Sequence, residues 1–285
     1  MTTNPATNPA IGLCWGTVEK ASLDQMIDLA GRHGFGALQV RPGLYLDARK
    51  AGRTDAELRA ALKRNNVRVE VIDTFGPRLP GIKLPDKIAE RDRAGLQMSE
   101  DEGFALAEAL EARVINLPHY MGRPDTPLPQ IIDAFGSFCE RARRRGFKVS
   151  FEFIPGTGVS NLATGLKVVR GIGNAGVLFD TWHMSRSNST LREVLDLKPG
   201  DVTAIQISDR SREHMHTTKP YVPMTGRLQP GDGDLPLAEI VRHLLKTHPG
   251  MNVAVEVFSD EQRAYSPDEA ARVSAAAMSR LFSRL

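Results

Sequence analysis

Eight short apolar runs recur along the chain, and polar, helix-forming stretches lie between them. The runs cover residues 11–14, 37–40, 67–72, 114–117, 149–153, 177–179, 202–207 and 253–257. They are rich in Val, Ile, Leu and Phe and too short for buried helices, which makes them strands covered on both faces. Helix starts are marked by a hydroxyl residue with Glu or Gln three positions on: Ser22 with Gln25, Thr54 with Glu57, Ser99 with Glu102, and Ser266-Pro267 with Glu269. Strands that alternate with helices need right-handed crossovers and a parallel sheet, and eight such units close into a (β/α)8 TIM barrel. An open, doubly wound α/β sheet is the alternative, but no glycine-rich dinucleotide turn follows the first run. A length of 285 residues suits one such barrel. A single domain over residues 10–285 is therefore expected.

Residues 1–9 are polar, contain two Asn-Pro steps, and lack both a basic start and an apolar core of signal-peptide length. They read as a disordered tail on a cytoplasmic protein. No run approaches the roughly 20 apolar residues of a membrane span. Cys14 and Cys139 form no metal or redox spacing, consistent with a reducing compartment. The net charge of +3 comes from Lys and Arg mixed with Asp and Glu at helical spacing, which describes a solvated surface and not a nucleic-acid face.

Four of the runs end on an oxygen-bearing side chain. The stretch Val177-Leu178-Phe179-Asp180-Thr181-Trp182-His183 runs from apolar residues into an Asp with a His one turn later. Glu152 stands between Phe151 and Phe153, Gln206 between Ile205 and Ile207, and Glu256 between Val255 and Val257. Gathering three buried carboxylates in one place is strongly unfavourable without a cation. The expected site is one hard divalent ion, Mn2+ or Mg2+ with Co2+ or Zn2+ as softer alternatives, held by Glu152, Asp180, Gln206 and Glu256. His183 then holds a ligand in place or contacts substrate, in preference to ligating directly, because four oxygen ligands suffice. Arg227 is a candidate for a distal substrate oxygen or carboxylate. Trp15 and Trp182 follow the first and sixth strands and can wall a pocket, and His119 follows the fourth.

The connections 73–98 and 208–235 are long, follow strands, and so belong on the catalytic face as lids. The second carries Arg210, Arg212, His214, His216 and Arg227. Its glycine segment includes Asp232 and Asp234, which repel phosphate, so a non-phosphorylated sugar, keto-polyol or hydroxy acid is expected.

Glu152, the Asp180-Thr181-Trp182-His183 segment, Gln206, Glu256 and the stretch Pro230-Gly231-Asp232-Gly233-Asp234-Leu235-Pro236 together resemble the xylose-isomerase-like TIM-barrel superfamily over about residues 10–284. That group holds sugar isomerases and epimerases, inosose and 3-dehydroshikimate dehydratases, and a family of AP endonucleases. The sequence departs from its ligand order at Gln206, where the pattern has His. The resemblance implies a metal-dependent isomerase or epimerase in which Glu152 and Glu256 exchange a proton beside a carbonyl through a metal-bound enediolate, with His183 on a substrate oxygen. A dehydratase or other lyase is the alternative. An endonuclease would need an Asp-x-His pair after the seventh strand, absent from 208–235. A non-catalytic partner subunit fits poorly with an intact ligand set. The expected partner is a small-molecule substrate, with no nucleic acid and no membrane, in a chain compatible with a homo-oligomer.

Overall fold

The eight runs become eight strands: β1 Asn8–Cys14, β2 Phe35–Val40, β3 Arg68–Ile72, β4 Val114–Asn116, β5 Lys148–Glu152, β6 Ala175–Asp180, β7 Val202–Ile207 and β8 Val253–Val255. The structure, a computed structural model, describes residues 8–211 and 224–285 apart from 77, 85, 87 and 89. Every strand pairs in parallel with its sequence neighbours, and β1 pairs with β8, so the sheet closes into a barrel. Strand β1 starts at Asn8, inside the stretch 1–9 expected to be tail, because the Asn8 amide reaches the Gly34 carbonyl at 2.9 Å. Backbone pairing of this kind needs no apolar side chain. Residues 1–7 lie outside the described part.

The outer helices bury one stripe each. Helix Leu128–Arg144 places Ile131, Phe135, Phe138, Cys139 and Ala142 on one face, at the spacing that a 3.6-residue turn brings into line. Phe135 meets Phe151 of β5 edge-on at 5.1 Å between ring centroids. Each such aromatic contributes roughly 2–3 kcal/mol by leaving water. Full capping boxes form at Ser22/Gln25, Thr54/Glu57 and Ser99/Glu102, and Ser266 caps its helix through the Glu269 amide. One more box, Thr190/Glu193, starts the short helix Leu191–Leu195. Among the described residues no helix is long and apolar enough to cross a membrane.

Strand periodicity positions the site. Val71, Val114, Leu178 and Ala204 pack together inside the barrel. Side chains two residues further along each strand face the same axis, one layer closer to the C-terminal mouth. Those residues are Asp73, Asn116, Asp180 and Gln206. Cys14, Gln39, Glu152 and Glu256 join them from β1, β2, β5 and the end of β8, so each strand sends one polar side chain to a single layer.

Candidate metal centre

The layer is joined by a closed ring of polar contacts. His183 Nε2 lies 3.0 Å from Glu152 Oε1 and 3.3 Å from Asp180 Oδ2. Arg227 Nη1 donates to Asp180 Oδ2 at 2.9 Å and to Glu256 Oε2 at 2.7 Å. The Cys14 thiol donates to Glu256 Oε1 at 3.0 Å and lies 3.8 Å from Asp73 Oδ2. Asn116 Nδ2 donates to Asp73 Oδ1 at 2.7 Å and to Glu152 Oε2 at 3.0 Å, which completes the circuit. Gln206 enters from β7, with Nε2 donating to Gln39 Oε1 at 2.8 Å and to Asp73 Oδ2 at 3.0 Å. All ten of these side chains are buried.

This collection carries four carboxylates and one guanidinium. Burial and the Glu152 charge lift Asp73 to about 6, against hydrogen bonds from Asn116, Thr74 and Gln206. Burial also holds Glu256 well above the usual carboxylate range; Arg227 opposes this, while Asp180, Asp73 and Glu152 add to it. Burial, with Glu256 and Asp73 beside it, keeps Cys14 a thiol. Burial is the first cause of all three shifts, and neighbouring carboxylates add to it. Among the described residues two sets of side chains each bring their ligand atoms within 4.8 Å of one another: Glu152, Asp180 and His183 form one, and Cys14, Asp73 and Glu256 the other. Gln206 Oε1 is buried with no hydrogen-bond partner among the described residues, a condition that costs about 1–3 kcal/mol. An unpartnered carbonyl oxygen amid buried carboxylates offers oxygen donors of the kind that could hold a hard cation.

A family model described as xylose isomerase-like TIM barrel matches residues 27–281. The chain belongs to this family. Comparison with curated proteins finds no match. Among solved structures, this xylose isomerase-like barrel resembles the IOLI protein with a bound zinc atom at 14% identity and a TM-score of 0.80, covering 96% of this chain and 98% of that one. It resembles the probable 3-DHS dehydratase AsbF of Bacillus anthracis at 15% identity and a TM-score of 0.69, covering 94% and 98%. It also resembles a D-psicose 3-epimerase, solved in the presence of D-fructose, at 16% identity and a TM-score of 0.66, covering 95% and 98%. At these identities the likeness is one of fold.

Within this barrel of the xylose isomerase-like family, the residues expected from sequence fall as follows. Glu152 and Asp180 end β5 and β6, Gln206 lies in β7 opposite Asp180, and Glu256 follows β8. His183 touches two of the expected ligands directly, closer to the centre than a purely substrate-facing group. Arg227 likewise lies among the carboxylates, its guanidinium flanked by the Phe258 ring at 5.0 Å and the Trp182 ring at 5.9 Å. Trp182 is buried beside Asp180, whose Oδ1 accepts its backbone amide at 2.8 Å. The Trp15 indole donates to Asp73 Oδ2 at 3.3 Å and meets Phe258 edge-on. His119 is buried beneath the loops, its Nε2 2.8 Å from the Pro80 carbonyl, and a Cβ on Gly122 would come within 2.2 Å of its ring. Burial lowers its proton affinity, so the ring is held neutral there. Arg212, His214 and His216 lie outside the described residues. The ring also contains Cys14, Gln39, Asp73 and Asn116, which the sequence reading did not assign to the site.

The segment carrying Arg227 is fixed by Asp209. That carboxylate accepts the Gly231 amide at 3.0 Å and the Leu235 amide at 3.1 Å, while the Asp209 and Leu228 backbones bond each other at 2.9 Å. The Asp232 and Asp234 amides go to the carbonyls of Gln229 and Arg210. A Cβ on Gly233 would stand 2.4 Å from Asp209 Oδ1, so glycine is required for this packing. The amides of a phosphate-binding loop must face outward and be unpaired. Here four of them are already bonded within the loop.

Proposed function

We propose that the chain is a divalent-metal-dependent isomerase or epimerase of a small, non-phosphorylated sugar or keto-polyol. The observation that carries this reading is the ring itself: Glu152 and Glu256 reach one buried layer from β5 and β8, on either side of Asp180 and Gln206. Glu152, Asp180, Gln206 and Glu256 would hold Mn2+ or Mg2+, three charged oxygens and one neutral, with His183 beside them. Bound there, the ion would draw electron density from a substrate carbonyl and so acidify the adjoining C–H.

The chain's own groups then divide the work. One of the two glutamates removes the proton from carbon and the other returns it, from opposite sides of the substrate. His183 Nε2 keeps Glu152 in place at 3.0 Å, and its one N–H would pass to a substrate oxygen when the carboxylate takes up the proton from carbon. Arg227 holds a substrate oxygen against the Asp180 and Glu256 side, and Trp15, Trp182 and Phe258 exclude water. The bonded glycine loop and the exposed Asp232 support an unphosphorylated substrate.

The position of His183 favours a second reading, dehydration, in which the same proton leaves carbon and His183 protonates a departing β-hydroxyl. Incubation with unphosphorylated ketoses, inososes and dehydroshikimate in D2O with Mn2+ separates the two. An epimerase places deuterium on one carbon without loss of water, and a dehydratase forms an absorbing enone. Turnover without exchange of that proton and without a primary isotope effect contradicts both.

A further inference from the structure

Gln206 is the one ligand in the proposed set whose two ends differ. Its oxygen can bind a cation, and its nitrogen repels one. Which end faces the centre is decided by neighbours on two other strands. Gln39 donates its own Nε2 to the Ile205 carbonyl at 3.3 Å, which leaves Gln39 Oε1 as an acceptor. Gln206 Nε2 uses both of its hydrogens, one on that oxygen at 2.8 Å and one on Asp73 Oδ2 at 3.0 Å. The Gln206 carbonyl oxygen is left buried and unpartnered among the described residues.

Asp73 itself has no capacity left for a substrate. Its Oδ1 accepts from Asn116 Nδ2 at 2.7 Å and Thr74 Oγ1 at 3.1 Å. Its Oδ2 accepts from Gln206 Nε2 and from the Trp15 indole at 3.3 Å, with the Cys14 thiol 3.8 Å away. The Asn116 amide that it anchors also donates to Glu152, a second expected ligand. A carboxylate saturated by donors, among them the ligand Gln206 and the Asn116 amide that also reaches Glu152, orients other groups.

We propose that Asp73 is the positioning residue of the metal centre: with Gln39 it locks the Gln206 amide so that its carbonyl oxygen is the ligand atom, and through Asn116 it steadies Glu152. This rests on the metal-centre reading above. An Asp73→Asn side chain must turn its NH2 toward Gln206 and Trp15 or toward Asn116 and Thr74, and both sides already present donors. On the first side the Gln206 amide turns over and offers nitrogen to the ion. On the second, Asn116 turns and withdraws its donor from Glu152.

The test is a Mn2+ titration of the purified chain, with free Mn2+ read from its electron paramagnetic resonance signal. Wild-type binding is measured first; if it is absent, the metal-centre reading fails and this inference with it. Given wild-type binding, Asp73→Asn is expected to weaken affinity at least about tenfold. The double variant Asp73→Asn/Gln206→Glu moves the negative charge from position 73 to 206 and lets the new amide donate to the new carboxylate. Gln39 then turns its NH2 the same way, giving up its long bond to the Ile205 carbonyl. Affinity should return to within about threefold of wild type, whereas a merely structural role for Asp73 would leave the folded Asp73→Asn protein binding Mn2+ as tightly as wild type. Should the single variant fail to fold, Gln39→Leu frees the same amide and is expected to weaken Mn2+ binding severalfold. Unchanged affinity in Asp73→Asn or, in its place, Gln39→Leu, or a double variant no tighter than the single, overturns the proposal while leaving the metal centre intact.

Discussion

Arg227 sets a guanidinium in a layer of buried carboxylates, and its Nη1 lies within 2.9 Å of both Asp180 and Glu256. Removing one partner of a buried ion pair leaves an uncompensated charge, on the order of 3 kcal/mol. Arg227→Met should therefore lower the thermal midpoint of the metal-free protein, and added Mn2+ should raise that midpoint more than it does in wild type. Calorimetric scans of both proteins with and without Mn2+ check this; equal Mn2+ shifts would show that Arg227 and the ion do not balance the same charges. At the same scale, Glu152, Asp180, Gln206 and Glu256 were legible because a charged or amide group directly after an apolar strand has no packing role. Asp73 opens the connection 73–98, and Cys14, Gln39 and Asn116 lie inside apolar runs, so nothing local marks them for the site. The missing signal was the period of two: Val71-x-Asp73 and Val114-x-Asn116 repeat the spacing of Leu178-x-Asp180. That alignment becomes readable only once the strands are known to close on one axis.

Strand and helix order follows from local patterning, which is why all eight strands and the marked helix starts were legible. Boundaries were not, since β1 extends to Asn8 on backbone bonds alone and β8 stops at Val255, where the chain turns to present Glu256. Contacts between distant elements carry no sequence signal at all. Arg170, which follows helix Leu162–Val169, donates to Asp201 Oδ1 at 3.1 Å and Oδ2 at 2.8 Å, and Asp201 also caps the turn into β7 through the Lys198 amide. Burial pushes the Asp201 carboxyl up, but the bonds from Arg170 and Lys198 outweigh it and hold the group below its usual range. A lowered carboxylate contributes stability that is present above the unfolded value near pH 4 and is lost as pH falls through the folded one. Arg170→Ala should thus cost on the order of 1 kcal/mol at neutral pH, modest because Arg170 is half exposed and screened. The gap from wild type should close in acid. Denaturant melts across that range check it; a gap that stays constant would place the effect in packing.

At the scale of the whole molecule, a parallel barrel fills its interior with stacked layers of side chains that its strands point inward. This chain fills a deeper layer with Val71, Val114, Leu178 and Ala204 and makes the layer at the C-terminal mouth wholly polar. The deeper layer holds the strands in register, and under the proposed function a bound cation would offset the cost of gathering four carboxylates in the upper one. The most direct test is metal content after equilibrium dialysis against Mn2+, in wild type and in Glu152→Gln, Asp180→Asn and Glu256→Gln. The account predicts about one ion per wild-type chain and little or none in the three variants. Wild-type protein that retains no ion, or occupancy unchanged in all three variants, would contradict it.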